Sequence, residues 1–295
     1  MEKVLNNKEN SLVGLPFTKM HGAGNDYIYI NGLSGVPENL SELSRQVSDR
    51  HFGIGADGLV VILPSDRADF RMRMFNADGS EAEMCGNATR CVAKYLFEKG
   101  ITDSREISLE TLAGIKILHL HLKDGVVESV TVDMGLPELT PALVPVLSEN
   151  PEKRIAEPYI DPRGREYRIT AVSMGNPHGV IFVDEITDEL VLGEGPSLET
   201  ASIFPRKANI EFARVLDPYT IEMRVWERGT GETLASGTGA CATAVAAAIN
   251  GLASRHTDIK LLGGPLHIDW DETTGHVMMT GPATFVCDGI FYPPK

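Results

Sequence analysis

The sequence predicts an α+β fold built twice. Two pseudo-symmetric domains are expected, each a curved, mostly antiparallel sheet wrapped around one central helix, with a cleft between them. Three observations carry this. A polar, glycine-rich loop at 75–91, FNADGSEAEMCGNATRC, feeds a helix, and a second such loop at 227–239, ERGTGETLASGTG, feeds another. Features of the two halves stand in register: 151 residues separate Cys85 from Ser236, Asn25 from Asn176, and Asn76 from Glu227. A fixed internal offset is the mark of duplication. Both helices are rich in small apolar residues on most sides, as buried helices are.

The elements follow in order. The segment 17–31 reads as strand, glycine break, strand, with Gly22 and Gly24 permitting a sharp turn before Asn25. A helix is expected at 40–49 with Leu40, Leu43 and Val47 inward, then a glycine loop at 51–58 and strands at 59–63 and 70–75. In the first loop Asn76, Asp78, Gly79 and Ser80 are turn formers. Beyond Cys85, Gly86 and Asn87, the residues Ala88, Cys91, Val92, Tyr95 and Leu96 share a helical face, and Lys94, Lys99 and Gly100 suit a helix C-terminus. Strands are expected at 107–111, 114–122 and 126–134, the last pair joined by an Asp-Gly hairpin turn. Four prolines between 135 and 155 suit a linker.

The second half repeats this outline. Strands are expected at 167–174 and 180–183 around the GNPHG break, partial helix at 188–199, and strands opening at 208–212 and spanning 219–226. An Ala-rich helix at 240–249 stops at Asn250-Gly251, and closing strands fall near 259–262, 266–270, 276–280 and 284–292. The expected domains are 1–134, completed by the last strand at about 282–295, and 135–281.

Composition narrows the function. At 295 residues with 42% hydrophobic content the chain can fill two cores. A net charge of −14 and a pI near 5.0 argue against a nucleic-acid partner or an anionic membrane surface. No apolar run approaches a membrane span, and the first fifteen residues lack a signal-peptide core and read as a frayed tail. Four cysteines at 85, 91, 241 and 287 show no zinc or disulfide spacing, which fits reduced thiols in the cytoplasm.

A thiol at a helix N-terminus lies beside unpaired N–H groups, an arrangement expected to lower its pKa. The alternative is a buried, inert cysteine. If the two helix N-termini face each other across the cleft, they can hold a carboxylate and the charge of a carbanion, while groups on opposite walls move a proton from one face to the other. No lysine signature for pyridoxal and no metal-ligand cluster is visible, so no cofactor is expected. Gly237 to Ala242 fits a dinucleotide fingerprint but lacks the preceding buried strand. Leu234 stands where a serine-hydrolase elbow requires glycine.

The pieces FTKMHGAGNDY, RHFGIGADG, FNADGSEAEMCGNATRC, SMGNPHGV, ANIEF and ERGTGETLASGTGACA, in this order, resemble the diaminopimelate epimerase family. The resemblance implies a homodimer, an active site between two like domains, and cofactor-free interconversion of LL- and meso-diaminopimelate in lysine synthesis. It makes Cys85 the first catalytic cysteine. Gly86 with Asn87, and Gly237 with Thr238, become carboxylate-holding helix N-termini. It makes Asn25, Asn76, Asn176 and Asn209 substrate-binding, and has Glu227 and Arg228 read the distal amine and carboxylate. Gly58 stands where some members carry a substrate-touching glutamine. Ser236 stands at the second catalytic cysteine, and a hydroxyl is far less acidic than a thiol. The expectation is a preserved site with slow turnover; the alternatives are a related racemase or dehydratase, or a non-catalytic binder of a diamino diacid.

Overall fold

The computed structural model describes residues 14–293; the expected frayed tail lies almost wholly outside them. The first half runs β1 (Leu15–Gly22), β2 (Asn25–Asn31), α1 (Leu40–Ser48), β3 (Gly58–Leu63), β4 (Phe70–Asn76), β5 (Glu81–Ala82), α2 (Gly86–Glu98), β6 (Glu106–Thr111), β7 (Gly114–Lys123) and β8 (Val126–Asp133). The second runs β9 (Glu157–Ile160), β10 (Glu166–Ser173), β11 (Pro177–Phe182), a π-helical turn (Glu189–Glu194), α3 (Gly195–Glu199), β12 (Asn209–Asp217), β13 (Thr220–Glu227), β14 (Gly231–Glu232), α4 (Gly237–Ile249), β15 (His256–Leu261), β16 (Gly264–Trp270) and β17 (Val277–Gly281). The closing strand β18 (Thr284–Phe291) returns to pair antiparallel with β1.

The fold is α+β with two pseudo-symmetric lobes. α2 and α4 begin and end 151 residues apart, and the glycines closing them, Gly100 and Gly251, both have φ +68. That left-handed conformation is what a helix-ending glycine supplies. The sheets are mostly antiparallel, but each lobe contains two parallel neighbours: β2·β3 and β4·β6 in the first, β11·β12 and β13·β15 in the second. Tyr27 pairs with Gly58 and His178 with Asn209, again 151 apart. The lobes are stitched by β8 against β17, so one continuous sheet runs through both.

The inner face of each curved sheet packs on its central helix. α4 is buried from Gly239 through Ala247, and its small side chains let strands approach closely. Fully buried Val245 adds about 1.5–3 kcal/mol of apolar burial. α2 is buried on its polar side as well, contrary to a one-face reading: Arg90 is fully enclosed and Lys94 nearly so. Their charges are met locally. Arg90 donates to Gly86 O, Asn87 Oδ1 and Pro282 O, and Lys94 donates to Val127 O and Glu98. The outer sheet face is covered by α1 in one lobe and by the π turn and α3 in the other.

Some elements differ from expectation. α4 starts at Gly237, three residues early, because Ser236 caps it. The two-residue strands β5 and β14 fold each polar loop back on β4 and β13. The proline-rich stretch holds no helix or strand but is anchored to the second lobe. Val144 and Val146 are buried, Glu138 bridges Ser173, and buried Arg154 donates to Leu147 O and Pro158 O. β9 follows directly and was not foreseen.

Candidate active site

The two polar loops end at the same place. Cys85 and Ser236 are the N-cap residues of α2 and α4, both in extended backbone conformation, which is how an N-cap leaves a strand-like loop and opens a helix. Both line one cavity of about 470 Å³. The first turns approach each other: Asn87 Nδ2 donates to Ala235 O at 3.5 Å. Met279 sits against both, since a Cβ at Gly86 would meet its Cε at 2.4 Å and one at Gly237 its Sδ at 3.1 Å. Glycine at these two positions permits the convergence. The first N–H groups of each helix have no intrahelical partner and are available to an anion.

The two caps behave differently. Ser236 Oγ accepts from Gly239 N at 3.2 Å and so completes its own helix. Cys85 makes no side-chain cap and donates instead to Asn25 Oδ1 at 3.2 Å. Burial pushes the Cys85 thiol up, with the Ala88 and Asn87 N–H groups and Arg90 pulling the other way. This corrects the expected lowering: the helix terminus acts in that direction, but desolvation outweighs it. The other thiols do not line this cavity. Burial raises Cys91 to about 11 and Cys241 to about 12, and Cys287 is exposed.

Asn25, Asn76, Gly86, Asn87, Asn176, Glu227, Arg228, Gly237 and Thr238 all line the same cavity. Glu227 and Arg228 do not pair with each other among the described residues. Thr233 Oγ1 donates to Glu227, and Arg228 donates from Nη1 to Arg206 O. Burial raises the Glu227 carboxyl. Asn209 is placed differently. It is buried and is not among the cavity-lining residues; its Oδ1 accepts from Arg228 N at 2.8 Å and its Nδ2 donates to Pro177 O. These bonds tie it to Arg228, and one N–H and one lone pair of its amide remain for another partner. Gly58 leaves no space for a longer residue, as a Cβ there would lie 2.1 Å from Phe75 O.

Sequence reasoning passed over three polar residues behind these walls. Asp57 Oδ2 accepts from Asn25 Nδ2 at 2.8 Å. His178 Nδ1 lies 2.6 Å from Glu211 Oε1, and its Nε2 lies 2.9 Å from Asn176 Oδ1, with both His178 and Glu211 fully buried. All three stand inside short motifs that were noted for other residues. A second cavity of about 720 Å³ adjoins the first through Asn25, Tyr27, Asn76 and Glu227.

Solved structures share this architecture. A hydroxyproline epimerase from Agrobacterium vitis superposes with a TM-score of 0.66 at 17% identity, covering 94% of this chain and 90% of its own. A probable proline racemase from Agrobacterium radiobacter gives 0.67 at 16%, with 93% and 92% covered. The chain thus has the two-lobed α+β fold that these structures share. Sequence narrows the fold to a family. The family model described as diaminopimelate epimerase matches residues 17–140 and 170–286. Proteins named diaminopimelate epimerase from Acetivibrio thermocellus and Desulfovibrio desulfuricans are each 55% identical, over 273 and 285 residues. Those matches cover 92% and 95% of this chain, and 97% and 99% of the relatives. The chain belongs to the diaminopimelate epimerase family.

Proposed function

We propose that this isomerase interconverts LL- and meso-diaminopimelate by moving the α-proton between two cleft walls. The observation that carries the reading is the shared cavity, lined by both helix caps together with Glu227 and Arg228. The reacting carboxylate docks on the free N–H groups at Gly86–Asn87 and Gly237–Thr238. The Cys85 thiolate removes the α-hydrogen: the Cα–H bond breaks, an S–H bond forms, and the electron pair moves into the carboxylate. The two helix termini stabilise that charge without a protein-bound cofactor. At the far end Arg228 forks onto the distal carboxylate and Glu227 faces the ammonium. Asn25, Asn76 and Asn176 fix the substrate between them, and Asn209 positions Arg228.

The opposite face is served by Ser236, at the position of the family's second cysteine. Its hydroxyl is a weak donor to a carbanion and is not an alkoxide near neutral pH, so turnover of this chain is slow. Wash-in of deuterium tests the assignment. In D2O the chain exchanges the α-hydrogen facing Cys85 with retention, and Cys85→Ala abolishes the exchange. Rapid epimerisation by the unaltered chain would refute the impairment, and binding without Cys85-dependent exchange would make the protein a binder. The two lobes are assigned to 1–134 with 282–295 and to 135–281. A homodimer working in the cytoplasm completes the reading; four unpaired cysteines suit a reducing compartment.

A further inference from the structure

The asparagines Asn25 and Asn176 occupy equivalent positions in the two lobes, yet their amides are turned in opposite senses. Asn176 gives its oxygen to the His178 side and its Nδ2 to Thr238 Oγ1 at 3.3 Å. Asn25 gives its Nδ2 to Asp57 and its oxygen to the Cys85 thiol and, at 3.4 Å, to Asn87 Nδ2. An amide oxygen and nitrogen are told apart by their partners. Here the partner is decisive. The Asp57 carboxylate can only accept, and Oδ2 also takes the Asp26 N–H at 3.2 Å. Asp57 is itself held by Arg50 at 3.0 Å. Asn25 therefore must aim its oxygen into the cleft.

The oxygen meets the Cys85 sulfur, and a carbonyl can only accept. It rewards the S–H form and repels the thiolate. Turned the other way, the same amide would offer N–H to the thiolate. We propose that Asp57 is a positioning residue that keeps Cys85 protonated in the empty cleft by fixing the orientation of the Asn25 amide. Cys85 then waits in the empty cleft as the thiol, and becomes the thiolate base only when substrate displaces the Asn25 contact and the proton passes to solvent. Other groups face Cys85, and two of them, Tyr27 and Glu227, also feel the charge of Asp57. Arg90 and Cys91 lie on its own helix, Tyr27 and Tyr29 on β2, and Glu227 across the cleft on β13. The Asn87 contact is long, and cannot hold the amide against a thiolate once Asp57 is gone.

This rests on Cys85 as the acting thiol, but its test uses no substrate. The rate of Cys85 alkylation by iodoacetamide is followed against pH, with the site resolved by peptide mass spectrometry. Asp57→Ala frees the amide, and the profile midpoint falls by about one pH unit, so alkylation at pH 7 quickens about tenfold. Asp57→Asn keeps an acceptor oxygen while removing the charge, and stays near the parent midpoint. Asn25→Ala removes the acceptor itself and shifts the midpoint at least as far as Asp57→Ala. An unmoved midpoint in Asp57→Ala or Asn25→Ala, with folding checked by circular dichroism, overturns the proposal. So does an equal shift in Asp57→Asn, which would make charge and not orientation the cause. Failure of the epimerase reading would leave these three profiles unchanged.

Discussion

At the level of single residues, the difference between Cys85 and Ser236 sets stability against chemistry. The serine closes its helix with a hydrogen bond to Gly239 N, whereas the cysteine at the matching position makes none. A good N-cap side chain is worth about 1 kcal/mol. Ser236→Cys is therefore expected to lose about 1 kcal/mol in urea unfolding while epimerisation rises about 10²–10⁴-fold, the usual contribution of a placed acid or base. A stable variant with no gain in turnover would show that the hydroxyl is not what limits the rate. Residue identity was legible where it made a turn or a cap. The glycine-rich polar loops around Cys85 and Ser236 announce the two helix entries, although α4 opens three residues before the expected start. Asp57 and Glu211 were not legible, since a carboxylate in a glycine loop or a strand reads as surface until its buried partner is seen. Asn209 stands behind the cleft wall, where its amide bonds the backbone of Arg228 and of Pro177.

Among the elements, α2 depends on an interaction that periodicity did not reveal. Arg90 lies on what a helical wheel marks as the polar side, but Gly22 and Gly281 make room for it. Cβ atoms there would sit 3.0 Å from its Nη2 and 3.1 Å from its Cζ. It ties the first turn of α2 to Pro282 between β17 and β18. Replacing it by leucine strands Asn87 Oδ1 and Pro282 O without their donor, while Gly86 O keeps the Thr89 hydroxyl. Each buried orphan costs about 1–3 kcal/mol, so Arg90→Leu should destabilise by about 2 kcal/mol or more. The urea midpoint would fall with little change in slope; an unchanged midpoint would mean that water or a neighbour replaces the guanidinium. The long strands and both central helices could be read from period and punctuation. The parallel pairings could not, because they join segments about thirty residues apart and leave no local pattern. β5 and β14 are too short for any period to register.

Across the whole molecule, the cleft is a joint between lobes that share only limited regular pairing. β8 meets β17 over four residue pairs, from Met278 with Asp133 to Gly281 with Val130. Beyond that, the lobes share an apolar core, and Thr131 with Thr280, Asp133 with His276 and the two helix entries add polar contacts. In the proposed reading a diamino diacid bridges them, engaging Cys85 and Asn87 from one lobe and Glu227, Arg228 and Thr238 from the other, all of which line the one cavity. Such a ligand binds the folded state and not the separated walls, so it adds RT ln(1 + [L]/Kd) to stability. At a hundred times Kd this is about 2.7 kcal/mol. For a chain of this length that is a rise of about 4 °C in the melting temperature. The slow turnover proposed for Ser236 would help the measurement, because the added isomer would stay itself during the scan. Arg228→Ala should lose the rise at the same ligand concentration, since the distal carboxylate then has no fork to close on. Glutamate, which has two carboxylates but no distal amine, should give a smaller shift because Glu227 stays unpaired. Equal stabilisation of the parent and Arg228→Ala by diaminopimelate would place the ligand elsewhere than across this joint.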